Sequence, residues 1–173
     1  MLEKALALDP LAMMARVNLA SAAISQRRDD EALLMLMEIK QMSPAWWIPE
    51  AHLFRLEQVR GNQQAAIEHI IAMHRLRGNA GAAAFARAAL DAGGWEGYMR
   101  AAIANPKDAD IWRAELAYCH MVLGDTDSAF ARLHELISAY DERTWVIVSD
   151  PRFEPLYTDP RYAELLERTG FMK

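Results

Sequence analysis

Cysteine is almost missing. Cys119 stands alone, so neither an internal disulfide nor a multi-cysteine zinc site can form, and nothing marks an oxidising compartment. Glycine and proline are sparse, 8 and 7 in 173 residues, which excludes collagen-like and Pro/Gly-rich disordered chains. Positive charge is in deficit, with 19 Lys and Arg against 24 Asp and Glu and a net charge of -5. A phosphate backbone would meet no global attractive field, so direct nucleic-acid binding is not expected. No stretch approaches the roughly 20 apolar residues of a membrane helix. The opening MLEKALALDP reaches proline too early for a signal peptide. The expectation is a cytoplasmic chain with no membrane partner.

Chemical motifs are lacking as well. There is no P-loop, dinucleotide glycine fingerprint, nucleophile elbow or zinc-protease motif. His134-Glu135 lacks the second histidine a metal would need, and His69 and His74, five apart, point to different helix faces. Asp125 and Asp127 sit in a turn opening a helix, where capping accounts for them. The sequence therefore predicts no enzyme, with no catalytic residue, no cofactor and no metal.

What is present is helix-forming and periodic. Hydrophobic residues make up 53%, and Ala, Leu, Met and Glu recur throughout, all of which favour helix. Pro10 and Pro44 are 34 residues apart, as are Ala32 and Ala66. Two helices of about a dozen residues fit each period. Leu19, Ala22 and Ala23 are expected as the inner stripe of a first helix, and Ala32, Leu33, Leu36 and Ile39 as that of its partner. The intervening turns read QRRDD and RGNQQ, and Gly61 suits the left-handed end of a helix. The distance from Ala66 to Ala129 is 63 residues, five short of two periods, so a third hairpin is trimmed. Gly93 and Gly94 mark its turn and Pro106 closes it. A fourth hairpin runs from Ile111 to Leu123 and from Ser128 to Ala139 around GDTD. Trp46 and Trp47, ahead of Pro49, are able to anchor a ligand, although packing between adjacent hairpins is the simpler expectation.

These residues resemble the tetratricopeptide (TPR) family, whose pattern runs W-x2-L-G-x2-Y, A-x3-F, P. Leu19, Ala20, Ala32, Leu36 and Pro44 fall on it in one unit, and Leu53, Gly61, Ala66 and Ile70 in the next. Arg16 and Ala23 replace aromatics, and Phe54 replaces a small residue. The tail from LAYCHMVLGD to the DPRF and DPRY pair is similar to TPR tails on bacterial winged-helix regulators, nucleotide cyclases and kinases. The resemblance implies an all-α, right-handed α-solenoid of about four degenerate hairpins, repeats 11–44, 45–78, 79–106 and 107–140. Residues 1–10 would be the remnant of an upstream repeat and 141–173 a C-terminal cap, making the chain the C-terminal part of something longer.

The cap has its own physical logic. Asp150-Pro151 and Asp159-Pro160 each offer an N-cap carboxylate followed by a proline that needs no amide hydrogen. Phe153, Leu156, Tyr162, Leu165 and Leu166 would cover the last hairpin, and Gly170 would end the final helix.

In TPR proteins the first helices of successive hairpins line a groove. By register that groove would comprise Met14, Val17, Ser21, Arg55, Gln58, Arg87, Tyr118 and Met121. Arg55 and Arg87 would form a positive strip suited to an acidic protein or peptide segment, or to the protein's own effector domain. Val17 and Ser21 replace the lysine and asparagine of chaperone-tail clamps, so that ligand is not expected. The alternative is a structural module whose uncapped front half-helix, Leu2–Leu8, and Met-rich surface drive homo-oligomer formation.

Overall fold

The computed structural model describes residues 12–139 and 142–170. Among them every regular element is helical and none is a strand, and no helix is long and apolar enough to cross a membrane. The half-helix expected over Leu2–Leu8 lies outside the described residues. The chain divides into two compact units, residues 1–87 and 88–173.

The first unit contains α1 (Met13–Ser25), α2 (Asp29–Met42), α3 (Ile48–Val59) and α4 (Gln63–Leu76). α1 packs along α2, α3 packs along α4, and α3 also packs against α1 and α2. Ala20, Ala23, Ile24, Ala32, Leu36, Leu53 and Leu56 form one buried cluster, with Leu33, Met35 and Val59 against it. The seam of α1 is therefore Val17, Ala20, Ala23 and Ile24, and Leu19 and Ala22 are only half-buried. The stripe expected from the sequence is rotated because α1 meets two neighbours and is apolar over most of its circumference, which blurs its period.

Two turns of this unit repeat one geometry at a spacing of 34 residues. The N–H of Arg28 donates to the Ala23 carbonyl at 2.9 Å and that of Arg27 to Ile24 at 3.0 Å; Asn62 and Gly61 donate likewise to Glu57 and Gln58 at 2.8 and 3.1 Å. This paired bonding requires a left-handed residue just past the helix. Gly61 supplies it with φ 73°, whereas Arg27 adopts φ 58° with a Cβ in place. The same bonds recur around Gly78 and Gly124. The following residue caps the next helix, through the side chains of Asn62, Asn79 and Asp125.

In the second unit a fifth helix, α5 (Ala80–Ala104), which starts in the first, is interrupted at Gly93 and Gly94. Gly94 has φ 63° and ψ -152°, a region essentially closed to other residues. In an unbroken helix residues 89 and 97 would be about 12 Å apart. Here a Cβ on Gly97 would lie 3.0 Å from the Ala89 carbonyl oxygen, so the chain folds back, as the glycine pair predicts. Then come α6 (Pro106–Ala109), α7 (Arg113–Val122), α8 (Thr126–Ser138), α9 (Val146–Ser149) and α10 (Pro160–Thr169). Short 3-10 turns at Glu142–Trp145 and Pro151–Leu156 flank α9.

Both aspartate caps form, Asp150 accepting from the Arg152 N–H at 3.1 Å and Asp159 from the Arg161 N–H at 3.0 Å. Phe153, Leu156, Tyr162 and Leu165 are buried beneath them, and Gly170 ends α10 with φ 69°.

Because only a side chain makes Arg27 costly in its turn, Arg27→Gly should raise stability by about 0.5–1 kcal/mol and Gly61→Ala should lower it by about 1 kcal/mol. Urea midpoints at unchanged slope are the measurement.

Candidate functional site

α3 concentrates the polar groups of the first unit. Glu50, Arg55, Glu57 and Gln58 are exposed by only 2, 7, 5 and 7%. Charged groups taken from water must be answered by neighbouring side chains. Arg55 Nη1 donates to Ser21 Oγ at 3.1 Å and Nη2 to Ser25 Oγ at 3.2 Å, fastening α3 to α1. Glu50 lies 2.6 Å from Lys40 Nζ on α2 and 2.6 Å from His69 Nδ1 on α4. Burial pushes the Glu50 carboxyl up, but the bonds from His69 and Lys40 outweigh it and hold it below its ordinary value. His52, one turn before Arg55, has an Nδ1 sealed from solvent with no hydrogen-bond partner. Burial, then the Arg55 charge, press its imidazole down to about 4.

The second unit holds its closing segment with one device used twice. Arg152 Nε returns to Asp150 at 3.2 Å and Nη2 at 2.9 Å, while Nη1 reaches Glu115 Oε2 on α7 at 2.7 Å. Its guanidinium lies 4.8 Å from the Tyr118 ring centre. Nine residues later Arg161 repeats the arrangement. It binds Asp159 at 2.7 Å, reaches Asp127 Oδ1 on α8 at 2.6 Å, and sits 4.3 Å from the Phe130 ring centre. Glu115 and Tyr118, like Asp127 and Phe130, are three apart on a helix and so share a face. The first clamp is sealed, with Asp150 0% and Arg152 8% exposed. In the second, the Arg161 side chain is 41% and that of Asp127 90% exposed.

Beside the sealed clamp lie the Tyr98 hydroxyl, buried without a hydrogen-bond partner, and the Cys119 thiol. Burial pushes both up, reinforced for each by the Glu115 charge. Cys119 is thus held as a thiol, the unreactive form. Among the described residues no group of three or more His, Cys, Asp or Glu side chains is arranged to hold a metal ion.

The residues assigned to a groove are scattered in environment. Met14 is 51% exposed, while Val17 is 1% exposed and belongs to the core, a correction that follows from the rotated seam of α1. Ser21 is half-buried and engaged by Arg55, and Gln58 is buried. Arg87 is bidentate to Glu68 at 2.8 and 2.7 Å. Arg55 and Arg87 therefore form no open positive strip: one guanidinium is interior and the other is held by a carboxylate. In the second unit Tyr118 is buried under Arg152 and Met121 is half-buried. Glu50, Glu115 and the arginines of the clamps were not singled out from the sequence. The doubled Asp-Pro-Arg and the acid-x-x-aromatic spacing on two successive helices were the available signal.

The fold and these contacts define an all-helical protein whose buried charges tie neighbouring helices together. No family model, curated protein or solved structure matches the chain significantly.

Arg152→Met removes the guanidinium that pairs with the buried Asp150 and Glu115, so it should cost about 3–5 kcal/mol in chemical denaturation. Arg161→Met, at the exposed clamp, should cost far less. A pH dependence follows from His52. The unfolded chain takes up a proton near the ordinary imidazole value of 6.5 while the folded chain resists until about 4. The contribution is therefore complete above 6.5 and lost as pH falls towards 4. His52→Phe should flatten that part of the stability profile.

Proposed function

We propose that the chain is a non-catalytic protein–protein interaction module, an α-solenoid of degenerate TPR hairpins acting as the docking or regulatory region of a larger bacterial, cytoplasmic regulator. The observation that carries this reading is the contact between equivalent positions: Ser21 and Arg55, 34 residues apart, bond across α1 and α3. The turns at Arg27 and Gly61 share that spacing and geometry. A repeat whose neighbours meet in register is how stacked hairpins share a core. The buried charges support it too, since each clamp is spent on joining helices.

A second reading, self-association, is favoured by α2, whose Leu34 and Met37 are 67% and 41% exposed. Light scattering separates the two, because a monomer at all concentrations removes self-association.

Panning a random peptide display library against the folded chain tests the module itself. Convergent sequences that bind the soluble protein one to one in the micromolar range are expected. Failure of any sequence to converge over repeated rounds would contradict the reading.

A further inference from the structure

The first unit carries an edge whose chemistry differs from the rest of this acidic protein. Residues 39–49 and 69–87 contain Lys40, Arg75, Arg77 and Arg87 and not one Asp or Glu. The two stretches meet where the α2–α3 connection faces the end of α4, with the Arg77 guanidinium 5.3 Å from the Trp47 ring centre. Met42 and Leu76, 46% and 39% exposed, lie close in sequence to that contact and are 34 residues apart. Trp46 and Trp47 are half-buried, and Arg75 and Arg77 are exposed. Of the acids that border these stretches, Glu38 is engaged by Arg16, Glu50 by Lys40 and His69, and Glu68 by Arg87.

We infer that this edge, Met42, Trp46, Trp47 and Leu76 rimmed by Arg75 and Arg77, docks a peptide segment with an apolar centre and acidic flanks. The inference rests on the interaction-module reading and names its surface and partner class. Tryptophan, methionine and arginine are the residue types enriched at the energetic centres of interfaces. Met42 and Leu76 are already out in solvent, so covering them removes area from water. Carboxylates on the flanks select the partner, because guanidinium forks pair with them bidentately and a lysine-bearing competitor is repelled. A nucleic-acid strand could stack on the tryptophans, but two exposed arginines on a chain of net charge -5 give the phosphates little to hold.

Three fluorescein-labelled peptides with one Leu-x-x-Leu-Phe centre, flanked by glutamates, serines or lysines, decide the matter by anisotropy. The glutamate peptide should bind one to one, at least about tenfold more tightly than the serine peptide, with no binding of the lysine peptide. Arg75→Glu combined with Arg77→Glu should reverse that order with the helical circular-dichroism spectrum retained. Trp46→Ala should weaken binding by about tenfold. Equal affinities, no binding of the glutamate peptide, indifference to the double substitution, or tighter binding of oligo-dT or phosphatidylserine vesicles would overturn the inference. If the panel fails while library panning converges elsewhere, this edge is wrong and the module stands; if both fail, both fall.

Discussion

A charge removed from water has to be answered by its surroundings, and this chain meets that requirement by having the helix next door supply the answer. α3 carries the burden in the first unit. Pro49–Gln58 is buried on nearly all sides, although the helix bears two carboxylates, a guanidinium and an amide. Its arginine is met by serines on α1 and Glu50 by a lysine on α2 and a histidine on α4. Such contacts add little net attraction over apolar packing, but removing one partner strands the other. They therefore specify which helix lies against which, where an apolar seam rich in alanine would tolerate slippage.

The same constraint shapes the end of the chain, where short 3-10 turns and a ten-residue helix have little intrinsic stability. Helices of that length are marginal alone in water. The turn Pro151–Leu156 and α10 each begin with Asp-Pro-Arg, and three interactions converge on each arginine: its own capping aspartate, a carboxylate across the interface and an aromatic face. Sealing one copy and leaving the other exposed gives a segment firmly held at Pro151–Leu156 and more loosely at its final helix.

The helical class, the left-handed turn at Gly61, the reversal at Gly94 and the Asp-Pro caps were legible in the sequence. Each depends on a local rule that one or two residues enforce. The rotation of α1 was not legible. With Val17, Leu19, Ala20, Ala22, Ala23 and Ile24 all apolar or small, the pattern fits several faces, and only α2 and α3 together choose among them. That choice buried Val17, and the groove assignment failed with it there. Arg55 illustrates a second limit: an arginine on a helix reads as solvated until two serines from another hairpin are brought to it. The arginine clamps could have been suspected from their doubled tripeptide, but the partners Glu115 and Asp127 lie far away in sequence.

Function is read from what stands exposed. The interior charges hold helices together, and the surface leaves Met42 and Leu76 exposed beside the exposed Arg75 and Arg77. The whole account stands on α3 being the enclosed member that its neighbours secure. Native-state hydrogen exchange measures this directly. The slowest amides of the first unit should fall on Ala51–Gln58, exchanging only with global unfolding. If the slowest amides lay instead on α2, with its exposed outer face, while α3 exchanged by local opening, the account would be contradicted.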